Sequence, residues 1–158
     1  MENDSNKFET IHIDQIINTD IKKVFDTLIA EDTYGKWTAA FGPGCHFKGS
    51  WEEGSKMQFL APNKIGEING MFSTVKENKS PHKLTLEHQG IVQNGEETKE
   101  GNEAEKWSGA KESYTLKEED GKTHLSIVMD LPEEEKGFFI EAWEQALVSL
   151  KEICEEKQ

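Results

Sequence analysis

The sequence contains no arginine. All 18 basic residues are lysines, and 31 acidic residues outnumber them, for a formal net charge of −13 over 158 residues. Nucleic-acid binding needs a basic face that neutralises phosphates, so this balance argues against DNA or RNA as a partner. An anionic membrane surface is disfavoured for the same reason. The planar fork by which arginine grips phosphate or carboxylate is missing as well. Lysine, histidine and backbone N–H groups remain as possible anion ligands.

Cysteine is nearly absent too. Cys45 and Cys154 have no C-x-x-C spacing and read as two free thiols in a reducing compartment. The histidines, His12, His46, His82, His88 and His124, show neither H-E-x-x-H nor paired i, i+4 spacing, so no metal is expected. G-x-S-x-G, P-loop and dinucleotide fingerprints are missing, and no cofactor is expected. No run approaches the roughly 18 apolar residues of a membrane span. Residues 1–7 form a polar tail without the basic and apolar regions of a signal peptide. These absences lead to the expectation of a soluble, cytoplasmic protein that does not insert into membranes.

What is present is periodic. Residues 8–17 read as a strand, with Ile11, Ile13 and Ile17 on one face and Thr10, His12 and Asp14 on the other. Asp20 can cap a helix carrying Ile21, Val24, Phe25 and Leu28 at helical spacing. A second short helix over 32–41 presents Tyr34, Trp37 and Phe41, and Gly42-Pro43-Gly44 ends it. Strands follow at 47–52, 56–61, 66–76 and 83–90. The acidic, Gly-containing stretch 91–106 reads as a mobile loop, its Glu-rich part as solvated surface. Residues 107–117 and 123–131 form a hairpin around Glu118–Gly121, in which Lys117 would pair with Lys122. A capping box at Asp130–Glu133 then opens a helix over 132–156, with Phe139, Ala142, Trp143, Ala146, Leu147, Leu150 and Cys154 on one side. One domain over 8–156 is expected, of the α+β class, with one long amphipathic helix covering an antiparallel meander.

Ile17-Asn18-Thr19-Asp20-Ile21-Lys22-Lys23-Val24-Phe25 resembles the "I-x-A-x-x-x-x-V-W/F" opening of the SRPBCC (START/Bet v 1-like) superfamily. Trp37 matches the tryptophan common in its second short helix. Gly70-Met71-Phe72-Ser73-Thr74-Val75, with Pro81 and Leu84, is similar to the "G-x-V-x-x-I…P…L" pattern of the Hsp90-ATPase-activator-homologue branch. The hairpin over 114–131 and the Trp143-containing helix fit as well. Thr19-Asp20 replaces the usual alanine-proline pair, and the acidic insert at 91–106 is a departure. The resemblance implies a helix-grip fold: a curved seven-stranded antiparallel sheet around the C-terminal helix, with two short helices after strand 1. It also implies a cavity between sheet and helix. Members bind lipids, sterols, polyketides and other hydrophobic molecules, and some are cyclases or aromatases. The chain has no room for the separate N-terminal domain of the Hsp90 co-chaperone, so Hsp90 activation is not carried over.

Candidate ligand-binding residues are Trp37, Phe41, Met57, Phe59, Met71, Leu86, His88, Tyr114, Phe139 and Trp143. His88 shares a strand face with Leu84 and Leu86, and the hairpin register brings Glu112 and Tyr114 to the same concave surface. A carboxylate, a phenol and an imidazole in an apolar pocket could transfer protons. The leading expectation is a domain that binds a hydrophobic small molecule without catalysis. The alternatives are a protein-interaction or chaperone-accessory module, with a protein partner or a second copy of the chain, and a cyclase- or aromatase-like enzyme using His88, Glu112 and Tyr114.

Overall fold

The computed structural model describes residues 7–156. Strand β1 (Glu9–Ile17) alternates as its sequence requires, burying Ile11 and Ile17 and turning Thr10, His12 and Asp14 outward. Helix α1 (Ile21–Ile29) starts where the Asp20 carboxylate accepts the Lys23 N–H at 2.9 Å. It buries Val24, Phe25 and Leu28. Helix α2 (Glu31–Trp37) continues into a 3-10 turn over Thr38–Phe41. The strands β2 (His46–Gly49), β3 (Lys56–Pro62), β4 (Ile68–Lys79) and β5 (Lys83–Gln93) follow as a meander. After β6 (Glu96–Thr98) and α3 (Asn102–Trp107) come β7 (Lys111–Glu119), β8 (Lys122–Leu131) and the long helix α4 (Lys136–Glu155).

Seven strands lie in the order β1-β8-β7-β5-β4-β3-β2, all antiparallel, and β6 adds an eighth beside the end of β5. This is the helix-grip α+β fold. Helix α4 buries Ala142, Trp143, Ala146, Leu147, Leu150 and Cys154. Opposite them stand Leu116, Leu125, Ile127 and Leu131 in one continuous core. Among the described residues, no helix is long and apolar enough to cross a membrane.

Three local expectations are corrected. The β7–β8 turn holds two residues, not four: Asp120 and Gly121 have φ of 56° and 76°, and Glu119 pairs with Lys122. Asp-Gly favours this tight hairpin turn because both central residues take positive φ. Register therefore moves by two residues, and every side chain keeps its face. The stretch 91–106 is not one loop. Strand β5 runs on to Gln93, β6 pairs with it, and α3 buries Ala104 and Trp107. Trp107 ends a helix instead of starting a strand. Asp130 caps nothing: it remains in β8, where its carboxylate accepts from Thr10 Oγ1 at 2.9 Å and Lys111 N–H at 3.1 Å. The chain passes Pro132 and a 3-10 turn over Glu133–Glu135 before α4 begins.

Candidate functional site: a cavity between sheet and helices

A cavity of about 260 Å³ lies between the concave face of the sheet and the helices. All four tryptophans and both tyrosines of the chain line it. Helix α2 and the turn after it contribute Tyr34, Trp37 and Phe41, and α4 contributes Phe139 and Trp143. Their rings form a connected wall. Phe41 and Trp143 meet edge-on at 5.0 Å between centroids, and Trp37 lies 5.8 Å from Trp143. Trp107 closes another side, edge-on to Phe139 at 5.7 Å and to His88 at 6.1 Å. Inward positions of the strands supply Phe59, Met71, Leu84, Leu86 and Met129.

Of the ten residues expected to contact a ligand, Met57 does not reach the cavity. It shares a face of β3 with Phe59, but its side chain is fully buried in the core against Gly49. The other nine line the space. Trp51, Cys45, His46, Trp107 and Tyr34 line the cavity as well, beyond the ten expected residues. Tyr34 was findable, because it lies one helical turn before Trp37 on the same side of α2. Trp107 was hidden by the acidic residues around it.

One side of this apolar space carries a chain of polar groups. Ser73, His88, Glu112 and Tyr114 come from three adjacent strands, β4, β5 and β7. Ser73 Oγ lies 2.7 Å from His88 Nδ1, and His88 Nε2 lies 3.5 Å from Glu112 Oε1. The Tyr114 hydroxyl donates to the other oxygen of Glu112. With Ser73 donating to Nδ1, the tautomer that carries its hydrogen on Nε2 would aim that N–H at Glu112. Ser73, His88 and Tyr114 are buried, and the Glu112 side chain is 14% exposed. The phenols of Tyr114 and Tyr34 are held well above the usual tyrosine range, first by burial and then by the negative charge of Glu112. Burial likewise pushes the Cys45 thiol up, against a smaller opposing hydrogen bond with Thr38.

Lys106 pins α3 in place. Its Nζ lies 3.2 Å from carboxylates of Glu103, Glu134 and Glu135, tying α3 to the turn that precedes α4. Desolvation alone would lower its pKa, but the three carboxylate hydrogen bonds outweigh it and raise the value. Among the described residues, no group of three or more His, Cys, Asp or Glu side chains is arranged to hold a metal ion. The polar chain can orient a ligand or move a proton between neighbouring groups.

Residues 18–155 match the family described as Activator of Hsp90 ATPase homolog 1-like protein. No curated protein matches the chain significantly. Several solved structures share the fold. A protein from Mycobacterium smegmatis has a TM-score of 0.70 at 14% identity, over 94% of this chain and 92% of that one. A protein from Chromobacterium violaceum has a TM-score of 0.67 at 18% identity, over 94% and 99%. The solution structure of the Aha1 dimer from Colwellia psychrerythraea has a TM-score of 0.65 at 20% identity, over 93% and 96%. At these identities the likeness is one of fold.

Proposed function

The chain belongs to the Activator of Hsp90 ATPase homolog 1-like protein family, and we propose that it is a binding domain for a hydrophobic small molecule. The observation that carries this reading is the aromatic-walled cavity between sheet and helices. A tightly packed core would leave no such space, because protein interiors are close-packed. At about 260 Å³ it lies just below the roughly 300–1,000 Å³ of pockets for drug-sized ligands. It therefore suits a molecule of modest size, such as a bicyclic aromatic. The methionine Met71 and Met129 side chains give part of the wall an adaptable shape.

A second reading rests on the polar chain. His88, Glu112 and Tyr114 stand within reach of one another and of anything in the cavity, as proton transfer to a bound substrate requires. In that case Glu112→Gln would leave binding in place and lower turnover by about 10²–10⁴-fold.

Thermal melts in the presence of naphthylmethanol, a neutral bicyclic probe, test the leading reading. Binding to the folded state alone raises the melting temperature with probe concentration. An unchanged melting temperature up to the probe's solubility limit would remove it.

A further inference from the structure

The cavity wall is chemically lopsided in charge. Among the described residues, Glu112 is the one carboxylate of the wall and no lysine lines it. The groups that could carry positive charge there are two imidazoles, His88 and His46, and His88 is already engaged by Ser73 and Glu112. The Glu112 carboxylate has about four lone-pair sites. Tyr114 occupies one, and His88 approaches another from 3.5 Å. Acceptor capacity is left over on a group that is only 14% exposed and faces the cavity.

The surroundings of that carboxylate are aromatic. Tyr114 stands beside it and contacts Trp143 edge-on at 6.1 Å, and its other neighbour His88 abuts Trp107. Ring faces attract a cation and repel an anion, through the same quadrupole that aligns the rings with one another. A ligand carboxylate or phosphate entering here would meet the charge of Glu112 with no lysine or arginine to offset it. A ligand ammonium would meet a carboxylate and electron-rich rings. Burying an ammonium ion is costly unless it is paired, and the pairing group is already in place.

We infer that the cavity selects hydrophobic amines, with the ammonium group seated on Glu112 and the hydrocarbon part among the aromatic rings. The inference rests on the reading of the cavity as a ligand site and adds to it the charge and chemical class of the occupant. The wall sets selectivity by exclusion: an aromatic carboxylate is rejected although its ring system matches that of the amine.

Calorimetric titration of the native protein with three probes of one shape tests this: naphthylmethylamine, naphthylmethanol and naphthoate, at neutral pH and physiological salt. The amine is expected to bind about 10-fold or more tighter than the alcohol, which corresponds to about 1.4 kcal/mol, and naphthoate weaker than both. In Glu112→Gln the amine should fall to the affinity of the alcohol or below it, because its charge is then unpaired, while the alcohol stays within about threefold of its native value. That retained alcohol binding also shows that the variant is folded. If the alcohol binds the native protein but the amine binds no better, or naphthoate binds best, the charge selectivity is wrong and the ligand site stands. If none of the three binds, both readings fall. The ranking on the native protein decides the matter even if Glu112→Gln does not fold.

Discussion

Ser73 fixes the ring of His88: its hydroxyl lies 2.7 Å from Nδ1, across the β4–β5 pairing, with both residues buried. The contact orients the imidazole so that Nε2 faces Glu112. Replacing Ser73 by alanine leaves a buried nitrogen without a partner, which costs about 1–3 kcal/mol. Urea melts of Ser73→Ala should show that loss. The nitrogen chemical shifts of His88 in the native protein should report a proton on Nε2, and the variant should disturb that preference. A variant as stable as the native protein would mean that the contact does not hold the ring.

How much of this was legible in the sequence can be judged from the same strands. Alternation placed Leu84, Leu86 and His88 on one face, and that face is the cavity wall. Glu112 and Tyr114 fell on the correct face even with the hairpin register two residues off, because a shift of two preserves the period of a strand. The tight turn was written in Asp120-Gly121, but the acidic pair before it suggested a longer loop. Trp107 was harder. Its helix is held by Lys106 contacting carboxylates far along the chain, Glu134 and Glu135, and no local pattern encodes that contact. Ser73 was out of reach for a similar reason, since its role depends on a β-bulge that sets it opposite His88. Asp130 has the composition of a helix cap, and tertiary hydrogen bonds to Thr10 and Lys111 claimed it instead.

The two tyrosines supply a pH test. Tyr34 and Tyr114 are the only tyrosines in the chain, and both phenols are raised well above the ordinary value by burial and by Glu112. A raised value means that the folded chain holds these protons more tightly than the unfolded one. The resulting stability is fully present below about pH 10 and is lost as pH rises through the folded values. Phenolate absorbance should therefore stay silent at about pH 10 while the circular dichroism remains native, then appear together with alkaline unfolding. Tyr114 is buried and Tyr34 half-buried, so a phenolate signal near pH 10 in a protein that keeps its native spectrum would show that Tyr34 or Tyr114 is not shielded by the cavity wall.

Gly90 explains how the acidic segment reaches the sheet. It pairs with Phe72, and a Cβ added there would lie 2.4 Å from Thr98 O and 2.7 Å from a carbon of the Phe72 ring. Only glycine lets β6 and the Phe72 ring pack this closely against β5. Gly90→Ala should push β6 away and destabilise the fold by about 1–3 kcal/mol, the usual cost of overpacking. Hydrogen exchange would show faster exchange over 96–98 than over β7 and β8. Unchanged protection and stability would mean that β6 contributes nothing to the edge it covers.

Nuclear Overhauser contacts between bound naphthylmethanol and the methyl groups of the protein would place the ligand directly. Met71, Leu86 and Met129 line the cavity on different strands, whereas Met57 is sealed in the core, and Ile16 and Val128 face outward from the sheet. A ligand in the cavity should show contacts from one probe molecule to Met71, Leu86 and Met129 together, with none to Met57, Ile16 or Val128. Contacts confined to the outward-facing residues, or no contacts at saturating probe, would contradict that placement.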